Sequence, residues 1–490
     1  MSTTSGAPSA PFPSLLIRAS ELIPQGAFAE AQAAFLSPEQ GLIERLDAGL
    51  RAGNIGVVAH FYMDPELQGV LSSCSWEHIK ISDSLLMADH AIAMAEGGVE
   101  SILVLGVDFM SENVRAMLDA SGHEGVPVYR VSREEIGCSL AESAEAQAYG
   151  LYLHRASEQE RSLHVIYINT SLEVKAKAHA RVPTLTCTSS NVVRTVMQAF
   201  AQVEGLHVWF GPDTYMGENL QELFEAMEGM SDEEISDVHP AHDRQSVADL
   251  RKRFHIFNQG SCVVHQMFGA SVVNKVVKDY PDASVAAHLE VPGEMFRLGM
   301  ERQRDDRGCV GSTSNILTFI GRKVDEAGES GEPQTIQVIL GTEAGMITSI
   351  VRDVQERLRE QELRGECSVG VEIVFPVASE AIAMTTDESL PVVPGVAAGE
   401  GCSTAGGCAT CPYMKMNSLD ALMTLVTGLA SGEVEDLGEF EPRKYEERIA
   451  GRSAAELGGL PILHMRSFQT SGCLPTALVD HIESGELASA

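Results

Sequence analysis

The sequence predicts an α/β protein of three pseudo-threefold-related domains, each a small parallel sheet covered by helices, around a central active site. Three observations carry that expectation. Near-continuous apolar runs alternate with helical stretches from Ile55 onward, the pattern of parallel strands buried on both faces. One plan recurs three times: an apolar run ends in polar or aromatic residues, and 20 to 25 residues on a Ser-rich turn opens a helix. After each copy comes a second buried-looking strand, and after that a loop offering one cysteine.

The first copy runs from VVAHFY to SDSLLMADHAIAMAE and presents His60, Tyr62 and Ser84. The second runs from VIYINTS to CTSSNVVRTVMQAF and presents Tyr167, Asn169, Ser189 and Ser190. The third, SVAAHLE to GSTSNILTFIGRK, presents His288, Glu290, Ser312 and Thr313. The strands that follow are ILVLGVDFMSE, HVWFGPDTYMGE and IQVILGTEAGM, and the cysteines are Cys138, Cys262 and Cys411. Residues at the carboxyl ends of strands in such units face ligands. Hydroxyls at helix starts, beside unpaired backbone N–H groups, bind carboxylate or phosphate oxygens. A single Ser before a helix is ordinarily only its cap; the threefold repetition gives the binding reading its weight.

Taken in order, residues 1–52 are an N-terminal extension. A Pro/Ser/Ala-rich, mobile lead-in over residues 1–14 precedes helical periodicity in LIRASELI and PEQGLIERLDAGLRAG. The first α/β domain spans 53–158. The second spans 159–283 and carries an acidic insertion, EAMEGMSDEEISDVHPAHD, read as a solvated excursion. The third spans 284–435 and is interrupted at DEAGESGEPQT and TTDESLPVVPGVAAGEG. Residues 436–490 are a C-terminal extension in which LPILHMRSF reads as an edge strand.

A net charge of −34 over 490 residues argues against a nucleic-acid surface, which needs clustered Lys and Arg. With no long apolar run, no membrane span is expected. The N-terminus lacks the basic and apolar regions of a secretory signal. Ten irregularly spaced cysteines do not resemble a secreted disulfide framework, so a reducing, cytoplasmic setting is expected.

Thiolates are soft ligands suited to zinc, copper or iron–sulfur clusters. Cys138, Cys262 and Cys411 lie 124 and 149 residues apart, unlike the compact pairs of a zinc ribbon. Three thiolates cannot fully ligate a [4Fe-4S] cluster, which would leave one iron open as a Lewis acid for dehydration chemistry. Cys74, Cys187, Cys309, Cys367 and Cys473 read as small buried hydrophobes. Cys402 and Cys408 sit close to a proposed ligand, and their role stays open.

These pieces, in order AHFY, SDSL, GVDFMSE, GCSLAES, YINTSLEVKA, CTSSN, GPDTYMG, GSCVVHQ, HLEVPGE, GSTSNI, TEAGM and CATCPYMKMN, resemble the quinolinate synthase family. The resemblance covers roughly residues 55–420. It implies three α/β domains around a pseudo-threefold axis and a [4Fe-4S] cluster with three cysteine ligands and one open iron. It also implies condensation of iminoaspartate with dihydroxyacetone phosphate to quinolinate, phosphate and water, in de novo NAD biosynthesis. Carried over, the metal ligands fall on Cys138, Cys262 and Cys411. The strand-end residues fall on His60, Tyr62, Tyr167, Asn169, His288 and Glu290, and the hydroxyls on Ser84, the Ser189–Ser190 pair, Ser312 and Thr313. The chain departs from the family pattern at Phe61, at Ser82 and at His288-Leu289-Glu290-Val291. It is also longer than a typical member, with additions at both ends and around 225–250, 300–310 and 365–400.

On this reading Tyr62, Tyr167, Glu290 and His60 serve catalysis. His60, Ser84, Tyr167, Asn169, Ser189, Ser190, His288, Glu290, Ser312 and Thr313 bind substrate. An L-aspartate oxidase would supply iminoaspartate. Two other classes remain: another [4Fe-4S]-dependent hydro-lyase on the same scaffold, and a metal or redox sensor built on Cys402, Cys408 and Cys411.

Overall fold

The runs IGVVAH, SLHVIY and SVAAH form the strands Ile55–His60, Ser162–Tyr167 and Ser284–His288, and every residue in them is buried. Apolar side chains on both faces require cover on both faces, which helices supply. The structure is a computed structural model that describes residues 11–365, 369–376, 410–434, 436–445 and 447–485. Its architecture is α/β, with several small parallel sheets flanked by helices. Among the described residues no helix is long and apolar enough to cross a membrane.

The sheets share one internal order. In the first, Ile79–Ser82, Ile55–His60, Ser101–Leu105 and Val128–Arg130 lie side by side and parallel. In the second the sequence is Thr184–Cys187, Ser162–Tyr167, His207–Gly211 and Phe254–Ile256. In the third it is Gly308–Gly311, Ser284–His288, Gln334–Gly341 and Val369–Val374. Numbered within its own repeat, each sheet therefore reads 2-1-3-4. Register repeats as well: His60 pairs with Ser82, Tyr167 with Cys187 and His288 with Gly311. Between strands 1 and 3 the strand order reverses, which opens a crevice at their carboxyl ends.

The chain divides into two compact units. One comprises Gln40–Met63, Leu71–Cys262 and Met416–Ala490 and holds the first two sheets; the other comprises Met1–Glu39, Asp64–Val70 and Val263–Lys415 and holds the third.

Two segments differ from expectation. LIRASELI is not helical: Ser14–Ile17 and Leu22–Gln25 are antiparallel strands that extend the third sheet through Val369–Val374. Leu15 and Ile17 are fully buried with Leu16 between them, a period of two rather than 3.6. LPILHMRSF is not a strand but part of the helix Ala454–Ser471, opened by a Ser453/Glu456 capping box and closed at Gly472 with φ of 73°. Its Leu457, Ile462, Met465 and Phe468 form the buried stripe, and Pro461 lies inside it. Within the acidic insertion Asp232–Val238 is a capped helix that buries Ile235 and leaves its other residues exposed, as a solvated excursion should.

Candidate active site

In the third sheet the first strand ends at His288, and the chain then turns through Leu289 to Glu290. Both polar side chains are about 2% exposed. His288 Nδ1 lies 3.2 Å from one Glu290 oxygen, and His265 Nδ1 lies 3.3 Å from the other. The two imidazoles stack, with centroids 4.9 Å apart and planes 4° from parallel. Burial pushes His288 down to about 4, so it is neutral near pH 7. Strand 3 of this repeat delivers Glu343 to the same crevice, also about 2% exposed. Burial, and then the Glu290 charge, push the Glu343 carboxyl well up, while it accepts a hydrogen bond from the Cys411 backbone N–H.

In the first sheet His60 ends its strand, and its Nδ1 accepts from the Tyr62 N–H at 3.1 Å, with the two rings edge to face at 4.9 Å. The Asp83 carboxylate caps the helix Ser84–Glu96 by accepting from Leu85 and Leu86, so the buried Ser84 hydroxyl is not used as the cap. In the second sheet Tyr167 is buried at its strand end and Asn169 half-buried in the turn beyond. Ser189 and Ser190 lie in the turn before the helix Val192–Gln202, with Ser190 Oγ 2.8 Å from the Thr188 hydroxyl. Ser312, by contrast, is consumed locally. It caps the helix Thr313–Glu329 in a reciprocal box with Asn315, and Thr313 is buried as the first helical residue.

Cys138 immediately precedes the helix Ser139–Glu145, whose Ser139 hydroxyl donates to the Ser261 carbonyl at 3.0 Å. The loops carrying Cys138 and Cys262 are thereby tied together. Cys262 is the last residue before the chain passes from one unit to the other. His265 follows three residues on, in the other unit with Glu290. Of the other described cysteines, Cys74, Cys309 and Cys473 are free thiols. Cys187 is buried as expected, whereas Cys473 is exposed. Cys367, Cys402 and Cys408 lie outside the described residues.

Sequence reasoning passed over Glu343 and His265, although both lie in motifs it quoted, TEAGM and GSCVVHQ. The usable signals were position after strand 3 of a repeat, which faces the reversal crevice, and the i, i+3 spacing from Cys262.

A triplicated parallel fold with buried imidazoles and carboxyls at one strand end, and cysteines in loops, fits the class of enzymes. The comparisons agree. A family model described as Quinolinate synthetase A protein matches residues 44–437. A "Quinolinate synthase, chloroplastic" of Nicotiana tabacum is 52% identical over 481 residues, covering 96% of this chain and 67% of its own length. That of Oryza sativa subsp. japonica is 51% identical over 494 residues, covering 97% and 70%. A "Quinolinate synthase" of Gloeothece citriformis is 26% identical over 316 residues, covering 64% and 76%. The chain spans about two thirds of the length of the chloroplastic relatives.

The chain belongs to the quinolinate synthetase A family. It is an enzyme that forms quinolinate, in NAD biosynthesis. The cytoplasmic expectation is overturned by the chloroplastic designation of these relatives, which points to a plastid. Free cysteines report a reducing environment, not an address, and that is why the sequence argument failed there.

Proposed function

We propose that the chain condenses iminoaspartate with dihydroxyacetone phosphate to quinolinate, with loss of phosphate and water, using a [4Fe-4S] cluster held by Cys138, Cys262 and Cys411. The donor set fits such a group: the three positions carry soft sulfur donors, and Cys138 and Cys262 stand on hydrogen-bonded loops. When bound, the cluster supplies an open iron that polarises a substrate oxygen. The chain's own residues do the rest. Glu290, between two imidazoles, takes and returns protons, and Glu343, its carboxyl pushed well up, stands beside it. Tyr62, His60 and Tyr167 line the reacting carbons, Tyr167 as a second acid/base group. Ser84, Asn169, Ser189, Ser190, His288 and Thr313 hold carboxylate and phosphate oxygens, while the sequence-expected Ser312 is committed to its helix cap. Iminoaspartate is a labile imine, so an L-aspartate oxidase would have to deliver it. The three repeats correspond to residues 53–158, 159–283 and 284–435.

The observation that carries this reading is the buried His265–Glu290–His288 group with Glu343, at the strand reversal of the third sheet. Its test is incubation of oxygen-free protein with dihydroxyacetone phosphate and iminoaspartate generated in situ, followed by chromatography. Quinolinate formed in step with phosphate is expected; phosphate without a pyridine product would favour a hydro-lyase instead.

A further inference from the structure

Two buried ions stand behind the turn that carries Asn169, and the reaction as described uses neither. Lys175 is fully buried, and its Nζ donates to the carbonyls of Ile168, at 3.1 Å, and of Thr170. The two carbonyls flank Asn169. Glu112, also buried, accepts from the Leu172 N–H at 3.0 Å through one oxygen and from the Tyr445 hydroxyl at 2.8 Å through the other. The turn from Tyr167 to Leu172 is therefore held at three backbone atoms by two side chains.

Tyr445 comes from beyond residue 437, where the family match ends. The same C-terminal segment sends the helix Ala454–Ser471 across the helix Leu172–His179. Gly458 lies so close to the Leu172 carbonyl that a Cβ there would sit 2.2 Å from its oxygen. Ala454 and Leu457 pack on Ala176, with Tyr445 against the same cluster. His464 and His481 contact His179 ring to ring. Every contact of the segment with this helix converges on the turn or on the helix that follows it.

We propose that Lys175, Glu112 and Tyr445 are positioning residues for substrate binding, and that the C-terminal segment braces the Tyr167–Leu172 turn through them. This rests on the reading that Tyr167 and Asn169 face substrate. Both groups are buried and both spend their hydrogen bonds on this turn and on Tyr445, so removing either leaves buried backbone atoms of the turn unpaired. An ammonium between two carbonyls restricts the peptide planes on either side of Asn169, and its removal would leave them free to rotate.

The test is calorimetric binding of quinolinate to the oxygen-free, cluster-loaded full chain, with thermal stability and the visible cluster spectrum measured on the same samples. Lys175→Met and Glu112→Ala should each weaken binding roughly tenfold or more, the scale of a lost charged hydrogen bond, with the spectrum unchanged. Glu112→Gln keeps an acceptor for Leu172 and a partner for the phenol, and should restore affinity to within about threefold of wild type. Tyr445→Phe removes one hydroxyl without threatening the fold and decides the matter if Lys175→Met does not fold; a loss of about threefold is expected. Unchanged affinity in Tyr445→Phe and Glu112→Ala, with lowered melting temperature, would reduce the brace to plain structural support. Wild-type protein that binds no quinolinate would overturn both this inference and the proposed function. Wild-type binding with unaffected variants overturns the brace alone.

Discussion

At the end of Ser284–His288 the crevice holds two imidazoles and two carboxyls, buried and facing one another. At the end of Ser162–Tyr167 it holds a phenol and an amide, and the ions, Lys175 and Glu112, grip the backbone from behind. Strand order and paired register are the same in both sheets. The difference lies in where the charge is put. A group that must change protonation is placed where opposed titratable neighbours hold its charge in balance. One topology thus carries opposed titratable side chains at one strand end and an ionic grip on the backbone at another.

The largest break in this comparison comes from the thiols common to all repeats. Cys138→Ala, Cys262→Ala and Cys411→Ala should each abolish activity and the brown colour of oxygen-free protein, which should carry about four irons and four sulfides per chain. Cys74→Ala and Cys473→Ala should leave metal content and colour at wild-type levels, as read by iron and sulfide assay.

Next in size is the contrast between the two carboxyls. Glu290→Gln removes the proton acceptor and should lower turnover about 100-fold, with quinolinate affinity nearly unaltered. Glu343→Gln replaces a carboxyl pushed toward its protonated form by its neutral isostere, so turnover should fall by less than about tenfold. Equal losses in single-turnover assays would show that Glu343 ionises during the reaction and that the two roles are not separate.

Acid sensitivity sharpens the contrast further. Burial holds His164 down to about 3, His179 to about 2, and His481 and His288 to about 4. Each folded value lies below the unfolded one, about 6.5. Below that pH the unfolded chain takes up protons that the folded chain refuses, so stability falls as pH drops from about 6.5 toward 4. Three of these groups belong to the unit with the first two sheets, and only His288 to the other. Melting curves across this range should show the tryptophans of the larger unit, Trp76 and Trp209, responding to acid, and His481→Gln should flatten that response.

The smallest effect separates two hydroxyls that look alike in sequence. Ser312 is committed to its capping box, so Ser312→Ala should cost about 1 kcal/mol of stability. Ser84 is not the cap of its helix, so Ser84→Ala should spare the melting temperature and weaken quinolinate binding. The reverse pattern would make Ser84 the structural residue and Ser312 the ligand-binding one.

Period and repetition determined a good deal on their own. Apolar runs such as IGVVAH and SLHVIY specify buried parallel strands because apolar residues fall on both faces. The three polar strand ends and the three thiols were legible because the chain writes them three times in the same order. Short or ambiguous segments were not legible. LIRASELI fits either period at eight residues, and only pairing with Val369–Val374 makes it strand. LPILHMRSF contains a proline that reads as a break, yet packing of the helix Ala454–Ser471 on the helix Leu172–His179 keeps it helical. Glu343 beside Glu290, Asp83 rather than Ser84 as the cap, and Tyr445 on Glu112 were decided by tertiary structure alone. Each joins residues distant in sequence, or chooses between adjacent hydroxyl and carboxylate groups, and burial and hydrogen-bond geometry settle such choices only after the chain has folded.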